Sequence, residues 1–355
     1  MATYATKLTE ITTRFPMTRF WNDSCSVSEL TNALRQGCDG ATTNPVIVVN
    51  VLNKELPQWE DTIRQIVRDN PTATEDEIAW KLIETLGLTG AKTLLPVYEA
   101  SKGLKGKLSI QTNAKYYRNT DLMVEQALHF HSLAPNIMVK LPASEAAIAA
   151  FEEATYRGVS INATVSFTVS QAVAVAEAVE HGLARREKEG LSNDTITPAC
   201  TLMNGRTEDW LKEYAAKENL GISPEAEEMY GVAVFKNAYR IFKERGYRTQ
   251  LLVAAFRHEK HWHELVGGDI ILTISKGFQD KINASALPVE NRMDVPVPEQ
   301  LLAEMRKNPQ FVLAYEPDAQ APSEFCNFGS FKKTMYQFLG SYDKLVEQLR
   351  SYIVQ

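Results

Sequence analysis

Lys140 closes the run Asn136-Ile137-Met138-Val139-Lys140-Leu141-Pro142-Ala143, so a lone ammonium stands at the C-terminal end of what reads as a buried parallel strand. That end of a strand is where α/β barrels keep their reactive groups. A lysine amine, with an ordinary pKa of about 10.4, is protonated at pH 7, but burial in an apolar mouth lowers that value and frees the lone pair to attack a carbonyl. Schiff-base chemistry is therefore open to Lys140. The plain alternative is a lysine whose stem snorkels from a strand end.

Such chemistry needs companions, because the amine must add to a ketone, water must leave, and a hydroxyl proton must be removed as a carbon–carbon bond breaks. Expected strand ends carry Asp23, Asn44, Gln111, Asn162, Thr164, Thr201, Arg206 and Arg257. Asp23 offers a carboxylate for the hydroxyl proton. Asn44 and Asn162 can hold substrate hydroxyls without adding charge, and Thr164 can orient a water. Arg206 and Arg257 are planar donors suited to a phosphate. Each has a bland reading too: Asp23 could cap the helix expected from Ser28, and either arginine could pair with a surface carboxylate.

Eight apolar runs bounded by turn signals supply the elements that would position these groups: Arg19 to Asp23, Gly40 to Thr43, Lys107 to Gln111, Ile137 to Leu141, Ser160 to Thr164, Thr197 to Leu202, Gln250 to Phe256 and Asp269 to Ile274. Amphipathic helical stretches alternate with them, including Ser28 to Gln36, Asp121 to Leu133, Glu145 to Arg157, Ser170 to Glu189, Ala226 to Arg245 and Glu259 to Val266. Eight such units predict a (β/α)8 TIM barrel rather than an open doubly wound sheet. No linker or repeat interrupts the chain, so a single domain over residues 1–355 is expected, with a helical insertion at about 51–105 and a helical extension at about 297–355. Thr74 and Glu77 have the spacing of a capping box within the insertion. Phe328, Phe331, Tyr336 and Phe338 offer the extension aromatic area with which to dock.

Composition narrows the function classes. A net charge of −6 argues against a general nucleic-acid or anionic-membrane binder. No run of about 18 apolar residues predicts a membrane span. The first twenty residues lack the apolar core of a secretion signal, and a cytoplasmic location is expected. Cys25, Cys38, Cys200 and Cys326 form no CxxC pair and read as reduced, packed thiols. In His258-Glu259-Lys260-His261-Trp262-His263 the HExxH zinc pattern would need a histidine at position 262, so no metal is expected and these histidines read as helix-surface groups. No organic cofactor is implied either, since an iminium is its own electron sink.

Three segments resemble the transaldolase family: Ala41-Thr42-Thr43-Asn44-Pro45, Val139-Lys140-Leu141-Pro142-Ala143, and Ser160-Ile161-Asn162-Ala163-Thr164 with Phe167 and Ser170-Gln171-Ala172. Their order and separation match as well, from about Trp21 to Phe278. The resemblance implies a Schiff-base barrel with Lys140 on the fourth strand, Asp23 as acid–base group, and Arg206 and Arg257 as phosphate ligands. Two departures stand out. Where the family's transaldolases carry a catalytic Glu in a Ser-x-Glu pattern, this chain has Ser109-Ile110-Gln111. Gln positions a water but exchanges no proton. The related fructose 6-phosphate aldolases share that Gln but use a Tyr where this chain has Met203.

Three functions therefore stay open. One is a transaldolase moving a dihydroxyacetone unit between sugar phosphates. A second is a Schiff-base aldolase or variant transaldolase acting on fructose 6-phosphate or another anionic ketose, such as a sulfonated sugar. The third is a non-catalytic sugar-phosphate-binding barrel. The expected partner is a phosphorylated or otherwise anionic sugar, and a homodimer is possible.

Overall fold

In the computed structural model, which describes residues 4–354, eight short parallel strands pair in chain order and close on themselves. They are β1 (Thr18–Asn22), β2 (Gly40–Thr42), β3 (Lys107–Gln111), β4 (Ile137–Pro142), β5 (Ile161–Ser166), β6 (Ala199–Leu202), β7 (Gln250–Val253) and β8 (Ile270–Ile274), which returns to β1. The architecture is a TIM barrel with additional N-terminal and C-terminal helices. Side chains on a parallel strand are enclosed on both faces, which is why these runs read as continuously apolar. One set, including Trp21, Met138, Leu252 and Ile271, fills the barrel, while a larger one joins strands to the helical coat. Register matters for the chemistry: Gln111 on β3 pairs with Lys140 on β4, and Lys140 pairs with Asn162 on β5. These three side chains share one row facing the interior.

The expected elements are present with shifted edges, and the shifts have causes. The run expected to reach Phe256 ends at Val253, because Ala255 adopts φ +63° and turns the chain. β5 runs on to Ser166 through a bulge at Val165, whose φ of +51° is unusual for a β-branched residue. Helices Lys7–Arg14, Asn204–Lys217 and Lys276–Ala284 were not anticipated. The second of these is strongly polar, so its apolar face is thin in sequence.

The insertion begins earlier than residue 51. Asn44 accepts the Ile47 N–H and Pro45 takes the first helical position, so the helix Pro45–Asp69 starts directly after β2. It is followed by Glu75–Ala100, where the Thr74–Glu77 capping box forms. The extension contributes helices Glu299–Met305, Pro309–Tyr315 and Gly329–Ile353. Phe328, Phe331 and Phe338 are buried in docking the last of these, but Tyr336 points to solvent and is 78% exposed, contrary to expectation. The four cysteines are free, three of them buried. No helix among the described residues is long and apolar enough to cross a membrane.

Candidate active site

At the C-terminal end of the barrel a cavity of about 330 Å³ is lined by Asp23, Asn44, Lys140, Met203, Arg206 and Arg257, with Phe256, Thr273, Ser275 and Phe278 completing the wall. That volume suits a small organic molecule. Five of the nine residues singled out in the sequence thus meet at one opening: Asp23, Asn44, Lys140, Arg206 and Arg257.

Lys140 is 2% exposed, and its Nζ makes no hydrogen bond to any described residue. Burial pushes the amine down to about 8; Asp23 opposes this and Arg206 adds to it. Asp23 shifts the other way. Loss of solvation raises its carboxyl above the usual range, against the pull of Lys140, a Thr42 hydrogen bond and Arg206. Both members of the pair are therefore displaced toward their neutral forms, which favours a nucleophilic amine beside a proton-exchanging carboxyl. Asp23 does not cap the helix Val27–Leu34, whose N-cap is Ser26. Instead its Oδ1 accepts from Thr42 Oγ1 at 2.7 Å, and Thr42 lies 2.7 Å from Thr273 Oγ1. With Thr42 donating to the carboxylate, Thr273 must donate to Thr42, so a short hydroxyl relay fixes where Asp23 points.

The two arginines are held differently. Arg206 pairs with no carboxylate among the described residues; it donates to Thr334 Oγ1 at 3.3 Å and lies 5.6 Å over the Phe338 ring, while Ser330 Oγ donates to its carbonyl. All three contacts come from helix Gly329–Ile353, so the C-terminal extension backs Arg206 without itself lining the cavity. Burial and the nearby Arg257 both push the Arg206 guanidinium below its usual range. Arg257 is more open and pairs with Asp209, Nη2 to Oδ2 at 2.6 Å.

The other four residues lie deeper. Thr201 donates to Asn162 Oδ1 at 2.8 Å and Asn162 Nδ2 donates to Ser109 Oγ at 3.1 Å, which commits this pair to a polar layer inside the barrel. Thr164 is fully buried with only the Met203 sulfur, 4.0 Å away, as partner. Gln111 is 3% exposed, and both its amide atoms lack a partner. A buried unpaired amide costs about 1–3 kcal/mol per group, so Gln111 and the Thr164 hydroxyl are poised for water or substrate.

Sequence reasoning missed several contributors. Thr42 and Thr334 carry no signal of their own, because each matters only through a partner far along the chain. The histidines following Arg257 are not helix-surface groups: His261 is fully buried and His263 nearly so. His258 and His261 gather around Glu208, some fifty positions earlier in sequence, a grouping that a local motif cannot reveal.

A family model described as Transaldolase/Fructose-6-phosphate aldolase matches residues 20–323. The chain belongs to this family. Similar curated proteins are the transaldolases of Chlamydia pneumoniae, 27% identical over 73% of this chain and 72% of that one, and of Chlamydia caviae, 26% identical over 75% of each. The transaldolase of Thiobacillus denitrificans is 28% identical over 65% of this chain and 68% of its own length. The span matched by the family model runs from within β1 through β8 and includes every candidate site residue of this transaldolase-family enzyme.

Proposed function

We propose that this enzyme is a transaldolase that forms a Schiff base between Lys140 and a ketose phosphate and passes a dihydroxyacetone unit to an aldose phosphate. The observation that carries the reading is Lys140 itself: a buried amine at a barrel strand end, lowered to about 8, without a hydrogen-bond partner among the described residues, in one cavity with Asp23 and two arginines. Lys140 adds to the ketone carbon, and loss of water leaves an iminium. Asp23 removes a hydroxyl proton, the adjacent carbon–carbon bond breaks, and its electron pair enters the iminium to give an enamine. The aldehyde product departs, an acceptor aldehyde takes its place, and the steps reverse. Arg206 and Arg257 hold the terminal anion of donor and acceptor in turn. Gln111 and Thr164 hold the water that enters and leaves.

A second reading, simple aldol cleavage, is favoured by Gln111, which the related fructose 6-phosphate aldolases share, whereas Met203 weighs against it, because release of free dihydroxyacetone needs a proton on the enamine carbon and a thioether supplies none. Borohydride reduction with fructose 6-phosphate, followed by mass mapping, tests for an adduct on Lys140. Its absence would leave the non-catalytic barrel as the better account. Acceptor dependence then separates the two enzymes: a transaldolase releases little dihydroxyacetone without an aldose phosphate, whereas an aldolase releases it freely.

A further inference from the structure

Glu208 on helix Asn204–Lys217 is 1% exposed, yet it is surrounded by donors. His261 Nε2 lies 2.9 Å from its Oε2, His258 Nε2 lies 2.9 Å from the same oxygen, and Lys212 Nζ reaches Oε1 at 2.7 Å. On the opposite edge of the His261 ring, Nδ1 accepts the Arg257 backbone N–H at 3.1 Å. A neutral imidazole that accepts at Nδ1 must carry its proton at Nε2, where it donates to Glu208. The ligand atoms of Glu208, His258 and His261 lie within 4.8 Å of one another, as in a metal site. The His261 tautomer argues otherwise. A metal would need the Nε2 lone pair, and a metal-bound imidazole would then turn an Nδ1–H toward the Arg257 N–H, donor against donor.

We propose that Glu208 and His261 are positioning residues that hold the Arg257 backbone so that its guanidinium binds a tetrahedral oxyanion at the cavity mouth. A second constraint acts on the same turn. Ala255 is in the left-handed region at φ +63°, and its carbonyl oxygen would lie 1.8 Å from a Cβ on Gly205, so the turn is pressed against the start of the helix carrying Arg206 and Glu208. Arg257 is thereby fixed from His261 on one side and Gly205 on the other, next to Arg206. Asp209, 53% exposed, pairs with the guanidinium and is the group an incoming anion displaces. A sugar phosphate and a sulfonated sugar present the same chemistry here. The inference rests on the reading of Arg257 as an anion ligand in the proposed function.

The test is calorimetric titration of inorganic phosphate into the full chain. His261→Phe keeps an apolar ring but removes the acceptor, and should weaken phosphate binding tenfold or more. His261→Asn places an amide oxygen where Nδ1 stood and should recover most of that loss. In an Arg257→Ala background, His261→Phe should cause no further loss, because both changes act through one group. Glu208→Gln is the second variant if His261→Phe fails to fold, with a severalfold loss expected. Unchanged affinity in the variant that folds, equal losses in the Phe and Asn variants, or losses that add to that of Arg257→Ala would each overturn the proposal. So would absence of phosphate binding by the wild type, or stoichiometric zinc binding abolished by His258→Ala. The Schiff base is read separately as the borohydride adduct on Lys140, so a chain that binds phosphate through Arg257 but traps no adduct refutes the reaction and not this site.

Discussion

Lys107 enters the barrel at the start of β3 and Lys140 leaves it at the end of β4, and the two are buried alike, 3% and 2% exposed. Burial lowers both amines, Lys107 to about 7 and Lys140 to about 8. Their surroundings differ in kind. Lys107 Nζ donates to Ser160 Oγ at 2.8 Å, Thr195 O at 2.7 Å and Thr197 Oγ1 at 2.8 Å, using every proton an ammonium has. Those three oxygens favour the charged form against the burial that lowers the amine, and a Lys107 held as an ammonium has no lone pair to attack with. Lys140 has no such oxygens among the described residues and faces a carboxyl that burial also pushes toward neutrality. Burial alone does not make a lysine a nucleophile; the absence of acceptors does. The same contrast extends to the two ends of the barrel. A cavity of about 310 Å³ at the bottom is lined by Arg19, Lys105, Lys243 and Arg248, but every one of these cations is already paired with a carboxylate. At the top, Arg206 is without one among the described residues.

The largest expected effect breaks this comparison most directly. Lys140→Ala should reduce turnover by about 10³-fold or more, because the covalent path is gone. Lys107→Met should leave the Lys140 borohydride adduct intact. An adduct on Lys107, or substantial turnover in Lys140→Ala, would show that the two ends have been assigned the wrong way round.

Asp23→Asn comes next. It should lower kcat by about 10²-fold with little change in KM, since proton removal is needed in the transition state and not in the ground state. A variant that keeps its rate and loses only stability would return Asp23 to a structural role, with the Thr42 relay as a packing feature.

How much of this was legible beforehand follows the same division. Lys140 and its strand could be read because a charged residue closing an apolar run is local information, and the eight alternating units gave the barrel for the same reason. Asp23 could be named, but not its relay, since Thr42 and Thr273 reach it only after β2 and β8 flank β1. Arg206 was read as a strand-end group and in fact lies in the first turn of helix Asn204–Lys217, whose polar sequence hides its start. The turn that aims Arg257 was invisible because a left-handed Ala255 has no residue-type signature. Asn162 was named for substrate hydroxyls, but its pairing with Thr201 and Ser109 could not be, since they reach it only when β3, β5 and β6 come together. Lys107 escaped notice because its three acceptors come from separate segments preceding β5 and β6.

Arg206→Ala should raise KM for an anionic ketose by about 10- to 100-fold, the equivalent of about 1.5–3 kcal/mol for a charge-assisted hydrogen bond, with little change on dihydroxyacetone. Thr334→Val, which removes only the hydroxyl that steadies the guanidinium, should produce a smaller shift in the same direction. Equal losses on charged and uncharged donors would make helix Gly329–Ile353 a structural strap rather than a support for an anion-binding Arg206.

The finest discrimination between the lysines is in stability and its pH dependence. An amine lowered by folding binds fewer protons in the native than in the unfolded state between its two pKa values. The unfolded chain therefore gains relative to the native one as pH falls through that window, and stability attributable to Lys140 rises with pH from about 8 to its ordinary value near 10.5. At pH 7 the buried ammonium is destabilising, so Lys140→Met should raise stability by about 1–3 kcal/mol, and the gain should shrink as pH approaches the ordinary lysine range. Lys107→Met should do the opposite, although burial lowers that amine as well, because the three acceptors of its ammonium outweigh the burial. It leaves Ser160, Thr195 and Thr197 oxygens facing an apolar side chain, and should cost about 2–4 kcal/mol at pH 7 from the unmet acceptors. Urea titrations at pH 7 and pH 9.5 measure both. If the two substitutions shift the midpoint in the same direction, the lysines are equivalent buried charges, and the amine that does chemistry would have to be distinguished by access to the cavity alone.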